Sequence, residues 1–272
     1  MRNSAVAGQF YPEDKEDLKN LIREVFLHNI GPGKIASLAV SGPRNIVGGI
    51  VPHAGYIYSG PVAAHFYNAL AEDGFPESFI IIGPNHYGIG PGVAITTQDF
   101  KTPLGIVKND LELSRMIYRD FVESDVNAHL YEHSIEVQLP YLQFFNNNIK
   151  FVPILMLDQS YETAVKLGEI IKDAIKGKDV VIIASSDFSH YVPKEIAYKN
   201  DHLLIEKIIK MDLSNFYSTL LKYDISACGY GPMMTMLYAL KGKPSLLKYA
   251  TSGDVSKMDK VVGYTAIKVD KR

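Results

Sequence analysis

The chain has 272 residues, of which 47% are hydrophobic and 21% charged, and its formal net charge at pH 7 is −2. This composition is typical of a globular protein with one sizeable core, and we expect a single domain over residues 1–272. The near-neutral charge gives no reason to expect nucleic acid or an anionic membrane as a partner, and no apolar run is long enough to cross a bilayer. The amino terminus lacks the apolar core of a signal peptide, and a single cysteine excludes an internal disulfide, so we expect a cytoplasmic protein.

Short apolar, β-branched runs alternate with helical patterns along the chain. The first half is expected to contain, in order, an extended segment over 5–12, a helix capped near Asp14 and ended by Gly31-Pro32-Gly33, strand Ile46–Val51, a helix from Ser59 as N-cap to about Ala71, strand Phe79–Ile82, short strands Val93–Thr97 and Gly105–Lys108, and a helix over Leu111–Phe121. The second half is expected to contain helix Glu132–Phe145 kinked at Pro140, strand Phe151–Leu157, helix Tyr161–Ile175, strand Val180–Ala184, two helices within Ile196–Leu221, a third starting near Gly231, and strands Leu246–Thr251 and Val262–Val269. The alternation predicts an α/β protein, a three-layer α/β/α sandwich with a central mixed, largely parallel sheet.

Three predicted strands end in a polar cluster that contains a histidine. His53 follows the first predicted strand, His86 the second and His190 the sixth. Continuous apolar strands are buried on both faces, and in such sheets ligands bind beyond the carboxyl ends of the strands. If these three strands are parallel neighbours, three imidazoles meet in one cleft.

The surroundings of these histidines suggest different roles. His53 and His86 lie in turns containing glycine or proline, where the backbone can approach a ligand closely, and their equivalent positions favour metal ligation. Asp187 precedes His190 by three residues. Its carboxylate either orients the His190 imidazole for acid–base chemistry or caps a turn, and the sequence leaves both open.

The segment from Glu132 to Glu136 contains a carboxylate–histidine pair of the kind found in metal sites of helical bundles. On the predicted helix, Glu132 and Glu136 share a face, and His133 lies next to Glu136. We expect Glu132 and His133 to face the cleft, although Glu132 could equally interact with the helix dipole. We expect no functional role for Glu136.

Cys228 is the only cysteine, and it lies in a turn of small residues before a predicted helix. A helix amino terminus lowers the pKa of a thiol, and a thiolate binds metal or attacks electrophiles. The alternative is an inert, buried cysteine. The position in a glycine-containing turn favours a function.

Six motifs cover nearly the whole chain in order. They are Ala7-Gly8-x-Phe10-Tyr11, Pro52-His53-Ala54-Gly55-Tyr56-x-Tyr58-Ser59-Gly60, Gly83-Pro84-Asn85-His86, Glu132-His133-Ser134-x-Glu136-x-Gln138-Leu139-Pro140, Ser185-Ser186-Asp187-x-Ser189-His190 and Cys228-Gly229. Together they resemble the Memo (mediator of cell motility) family, which in prokaryotes is also called AmmeMemoRadiSam system protein B. The resemblance implies a fold similar to the class III extradiol dioxygenases, in which two histidines and a carboxylate hold non-haem iron(II).

By position, the resemblance implies that His53 and His86 are metal ligands and that Cys228 is the third, in place of the dioxygenase glutamate. Iron(II) is therefore the expected metal, and the softer thiolate makes copper or zinc possible. A thiolate is also oxidisable, so ring cleavage does not follow from the fold.

The resemblance also implies roles around the metal. His190 is similar to the acid–base histidine of the dioxygenases, with Asp187 beside it. We expect Glu132, His133 and Tyr56 to contact a small-molecule or peptide ligand in the cleft. The resemblance further implies a functional association with a radical SAM protein, whereas no nucleic acid or membrane partner is expected.

Three functions compete. The first is a mononuclear metal site that is redox-active or acts on a small molecule, as a metal-dependent oxidoreductase would. The second is a peptide- or phosphotyrosine-binding adaptor on a catalytically inactive fold, because the animal members of the family look like such adaptors. The third is a metal-free hydrolase with Cys228 as nucleophile, His190 as base and Asp187 as the residue that orients it.

Overall fold

An eleven-stranded mixed sheet forms the middle layer of the computed structural model, which describes residues 1–272. Its strands are β1 Ile46–Val51, β2 Ser78–Pro84, β3 Val93–Ile95, β4 Phe100–Thr102, β5 Gly105–Asn109, β6 Val122–Ser124, β7 Lys150–Met156, β8 Val180–Ser185, β9 His190–Pro193, β10 Lys243–Thr251 and β11 Lys260–Asp270. The main path runs β10-β11-β1-β8-β2-β7-β3-β6. The central strands β1, β8, β2 and β7 are parallel neighbours, while β11 and β3 flank them in antiparallel pairing.

Helices cover both faces of this sheet. They are α1 Lys15–Leu27, α2 Tyr56–Asp73, α3 Leu111–Ile117, α4 Val126–Leu130, α5 Leu139–Phe145, α6 Tyr161–Ala174, α7 Lys194–Ile209, α8 Leu213–Lys222, α9 Tyr230–Leu240 and α10 Ser252–Val255, with a 3₁₀ turn at Glu136–Gln138. Two hydrophobic cores result, with α1, α2 and α5 on one face and α6, α8 and α9 on the other. The predicted three-layer α/β/α sandwich is thereby confirmed. No helix is both long and apolar enough to span a membrane.

Strand β2 shows why its sequence reads as one continuous apolar run. All of its residues are buried. Phe79 and Ile81 contribute to one core, and Ile80 and Ile82 contribute to the other. Because side chains of a strand alternate between faces, a strand covered on both sides needs apolar residues at every position.

The start of α2 differs from the prediction. The helix begins at Tyr56, three residues before the expected N-cap Ser59, so Pro61 lies inside the helix rather than in its first turn. The N–H of Tyr56 donates to the carbonyl oxygen of Phe10 at 2.8 Å. The amino-terminal segment therefore takes the role of a side-chain cap. By contrast, Asp14 caps α1 as predicted.

The predicted helix Glu132–Phe145 is wrong. Residues 131–135 form an irregular loop, the 3₁₀ turn follows, and α5 begins only at Leu139. Pro140 lies in the first turn of α5, where a helix requires no N–H donor, so it starts the helix instead of kinking it. Glu132 and Glu136 consequently do not share a helix face.

Candidate metal centre

The three strand-end histidines do come from adjacent parallel strands. Val51 of β1 pairs with Ser185 of β8, and β2 runs on the other side of β8, so the three strands end at one edge of the sheet. One donor atom each of His53, His86 and Cys228 lies within 4.8 Å of the other two. The structure therefore brings together the three side chains that the resemblance implied as ligands.

Cys228 reaches this edge because its turn passes very close to the end of β8. A Cβ atom at Gly229 would collide with the carbonyl oxygen of Ser185 and with the side chain of Ser186, so the turn requires glycine. The N–H of Asp187 donates to Cys228 Sγ at 3.3 Å, and the N–H of Cys228 donates to the Asp187 carbonyl oxygen at 3.2 Å. These contacts place Cys228 Sγ 3.1 Å from Nε2 of His53.

Hydrogen bonds around Ser185 decide which nitrogen of His53 carries the proton. The single hydroxyl hydrogen of Ser185 goes to the Ser134 carbonyl oxygen at 2.6 Å. Ser185 Oγ accepts from Gln138 Nε2 at 2.8 Å, and the other hydrogen of that amide goes to the carbonyl oxygen of Pro52. The 2.9 Å contact from His53 Nδ1 to Ser185 Oγ thus needs an Nδ1–H donor. Since burial holds the pKa of His53 well below its usual value, the ring is neutral and Nε2 has a free lone pair.

Glu132 orients His86 in the same way. Its Oε2 accepts the backbone N–H of His86 at 2.6 Å, and its Oε1 lies 2.9 Å from His86 Nδ1. Burial raises the pKa of Glu132, but the hydrogen bond and the charge of His86 outweigh it and lower the pKa to about 2. The ionised carboxylate can only accept, so Nδ1 of His86 is the donor, as in carboxylate–histidine–metal sites. Burial lowers the pKa of His86, but the hydrogen bond and charge of Glu132 outweigh it and raise this pKa, so a metal at Nε2 would have to displace the proton of the charged ring. The prediction that Glu132 binds a ligand is corrected: its buried carboxylate holds His86.

The prediction that Tyr56 contacts a ligand in the cleft is wrong. Its side chain is 1% exposed, and its hydroxyl donates to the Val137 carbonyl oxygen at 2.6 Å. The ring stacks on Tyr141 with 4.3 Å between centroids. Tyr56 starts α2, and its direction into the core follows from the early start of that helix.

Asp187 and His190 do not form the predicted pair. The Asp187 carboxylate accepts the backbone N–H of His53 at 2.8 Å, and burial raises the pKa of this carboxyl to about 6. His190 is held by Ser226, whose carbonyl oxygen lies 2.8 Å from Nδ1 and whose hydroxyl accepts the His190 N–H at 2.8 Å. The reason is the path of the chain: Phe188 turns into the core between them, and His190 starts β9. Because a carbonyl only accepts, Nδ1 of His190 is the donor and Nε2 is free to exchange a proton.

His133 adds an imidazole next to those of His53 and His86. Its ring stacks on His86 with 4.8 Å between centroids and meets His53 edge-on at 5.5 Å. Burial lowers the pKa of His133 to about 4, so the ring is neutral at pH 7. His133 therefore lies beside the rings of His53 and His86, although on a loop and not on the predicted helix.

Arg2 and Glu136 are two of the residues near the centre for which the sequence predicts no functional role. Arg2 is buried and forms an ion pair with Glu136, for which no role was expected. A contact between residues 134 positions apart leaves no local pattern, and an arginine at position 2 of a chain normally suggests an exposed end.

Comparison with known proteins identifies the family. The sequence profile of a family described as "Memo-like protein" matches residues 2–268. A MEMO1 family protein of Ignicoccus hospitalis is 46% identical over 98% of both chains, and one of Sulfurisphaera tokodaii is 45% identical over 98% of this chain and 99% of its own. The solved structure of an uncharacterized protein from Escherichia coli K12 is similar in fold, with a TM-score of 0.55 at 12% identity over 82% of this chain and 99% of that chain. The chain belongs to the Memo family.

Proposed function

We propose that this protein holds one transition-metal ion between His53, His86 and Cys228 and acts on a small molecule that approaches the ion from the cleft. The observation that carries the proposal is the arrangement of the three donor atoms. They lie within 4.8 Å of one another, and the Nδ1 atoms of both histidines are occupied by Ser185 and Glu132. The remaining ring nitrogens are therefore available as ligands in a fixed direction.

The chemistry of the donor set fits iron(II), copper(I) or zinc, which accept imidazole and thiolate ligands together. We propose iron(II), because the resemblance to the dioxygenases implies it. Burial and the nearby Asp187 carboxylate raise the pKa of the Cys228 thiol strongly. Metal binding therefore has to release the thiol proton, and affinity is expected to rise with pH.

An ion with three protein ligands keeps open positions, at which it would polarise a bound molecule or exchange electrons with it. The half-buried ring of His190 has its Nδ1–H bonded to Ser226 and would give or take a ligand proton at Nε2. Asp187 would help to fix the positions of two ligands, because its carboxylate accepts the backbone N–H of His53 and its own backbone N–H donates to Cys228 Sγ. His133 would contact the bound molecule.

The proposal is tested by metal analysis of protein purified without oxygen. We expect about one ion per chain in the wild type and none in a His53→Ala/His86→Ala variant, since one remaining ligand cannot hold the ion. His202→Ala is the matched control: that ring is exposed and bonds only to the Tyr198 carbonyl oxygen on α7. Equal metal content in all three proteins would contradict the proposal.

The identity of the metal is tested with Cys228→Ser. A serine oxygen is a harder ligand than a thiolate, so copper(I) and zinc should be lost more completely than iron(II). Metal content that does not change in this variant would exclude Cys228 as a ligand.

The competing functions have less support. Phosphotyrosine recognition uses clustered arginines, and Arg2, which bonds to the loop beside His86, is buried and paired with Glu136. The hydrolase hypothesis needs His190 next to the thiol, but the thiol contacts His53. Association with a radical SAM protein stays a proposal, which co-purification of the two proteins would test.

A further inference from the structure

The guanidinium of Arg2 makes three polar contacts with residues 129–136, although it is only 2% exposed. Nε donates to the His129 carbonyl oxygen at 3.0 Å, and Nη2 donates to the Glu132 carbonyl oxygen at 2.6 Å. Nη1 forms the ion pair with Glu136. The cation also lies over the ring of Phe100, 4.8 Å from its centroid.

Glu136 connects this cation to the start of the chain. Its carboxylate accepts hydrogen bonds from the N–H groups of Ala5, at 2.8 Å, and Val6, at 3.2 Å, and from the hydroxyl of Tyr11. Residues 2–11, which we call the amino-terminal arm, are thereby tied to the loop at residues 131–135. Phe10 of the arm packs against His133, with 4.6 Å between the rings.

The loop at 131–135 depends on such contacts because it has no regular secondary structure. Within it, Glu132 is held from two sides. Its carboxylate bonds to the backbone N–H and Nδ1 of His86, and its own carbonyl oxygen bonds to Arg2. The carboxylate also accepts the N–H of Ser134, which belongs to the same loop. If the carbonyl contact to Arg2 is lost, the loop and this carboxylate can therefore shift together relative to His86.

We propose that Arg2 is a positioning residue of the metal centre, which holds Glu132 so that His86 presents Nε2 to the metal. This inference rests on the proposed function. Stability alone does not account for the buried ion pair, because apolar side chains of similar volume often serve as well. Apolar side chains cannot donate to two carbonyl oxygens and a carboxylate in fixed directions, and the planar fork of arginine can.

Arg2→Lys tests whether the geometry of the guanidinium of Arg2 is needed, and not only its positive charge. Lysine keeps a cation near Glu136 but lacks the fork that reaches both carbonyl oxygens. Arg44→Lys is the matched control, because Arg44 pairs with Asp179 at the opposite edge of the sheet, before β1 begins. A second variant, Arg2→Met/Glu136→Gln, removes both buried charges together. It replaces Arg2→Lys in the measurements below if Arg2→Lys does not fold.

The first measurement is anaerobic titration of the metal-free proteins with cobalt(II). We expect Arg2→Lys to bind about 10-fold more weakly than the wild type, the lower end of the range for loss of a partner that orients a ligand, because Arg2 acts through Glu132. Arg44→Lys should bind like the wild type. The thiolate-to-cobalt absorption should persist at saturation in Arg2→Lys, because His53 and Cys228 are not touched. Unchanged affinity in Arg2→Lys would overturn the inference, whatever happens to its unfolding temperature.

The second measurement needs no metal. In the metal-free wild type and in Arg44→Lys, the Nδ1–H proton of His86 should give a downfield NMR signal typical of a hydrogen bond to a carboxylate. Arg2→Lys should lose or shift that signal, and a retained signal would overturn the inference. If the wild type binds no metal while Arg2→Lys still loses the signal, the proposed function fails and the positioning role of Arg2 stands.

Discussion

Ser185→Ala removes the hydroxyl at which three buried polar groups meet. The variant leaves the Nδ1–H of His53, one N–H of Gln138 and the carbonyl oxygen of Ser134 without this partner. An unsatisfied buried polar group destabilises a protein by about 1–3 kcal/mol, so the free energy of unfolding should fall by about 3 kcal/mol or more. That is a large part of the roughly 5–15 kcal/mol that stabilises a typical domain.

The same substitution should weaken metal binding. Without Ser185 Oγ, the His53 proton is no longer confined to Nδ1, and cobalt affinity should fall about 10- to 100-fold, or about 1.4–2.8 kcal/mol. Urea denaturation of the metal-free protein and cobalt titration measure the two effects. The exposed Ser218→Ala, whose hydroxyl bonds only within α8, should stay within about 0.5 kcal/mol of the wild type. If Ser185→Ala behaves like this control in both assays, Ser185 does not orient His53.

Three further substitutions have distinct expected outcomes. Glu132→Gln keeps the shape of the side chain but removes the charge that holds Nδ1–H of His86, so cobalt affinity should fall about 10-fold; an unchanged dissociation constant would be contrary to this role. Burial raises the pKa of Asp201 from 3.8 to about 6. Between these two pH values the Asp201 carboxyl is protonated in the folded protein and ionised in the unfolded chain. The free energy of unfolding of the wild type therefore falls as the pH rises from about 4 to about 6. Relative to the wild type, Asp201→Asn should therefore gain roughly 2 kcal/mol in unfolding free energy between pH 4 and pH 7, measured in urea, and a pH-independent difference would refute this. Tyr56→Phe should lower the free energy of unfolding by about 1 kcal/mol without any change in cobalt affinity. Weaker cobalt binding by this variant would contradict the assignment of Tyr56 to the core.

The meeting of the strand-end histidines could be predicted because it depends on two simple rules. A strand buried on both faces is a continuous apolar run, and parallel neighbours end at the same edge of the sheet. Strands β1, β8 and β2 satisfy both rules, and His53 and His86 are found where these predict. The turn of Cys228 returns to this edge from far along the chain, so only the resemblance to the Memo family placed it there.

Side-chain directions within the centre could not be predicted from sequence spacing. Asp187 and His190 are close in sequence, but the turn of Phe188 into the core directs the carboxylate to the backbone of His53. Glu132 was assigned to a helix face, and its loop has no helix. The hydrogen bonds of the Arg2 side chain join residues at least 127 positions apart, and no local sequence pattern indicates such a contact.

The most direct test of the metal centre is the X-ray absorption spectrum at the edge of the metal that the anaerobically purified protein contains. We expect two imidazole nitrogens and one sulfur in the coordination shell, with a metal–sulfur distance of about 2.3 Å if the ion is zinc. Cys228→Ser should lose the sulfur contribution and retain the imidazoles. A wild-type spectrum without sulfur, or one that Cys228→Ser leaves unchanged, would contradict a centre built from His53, His86 and Cys228.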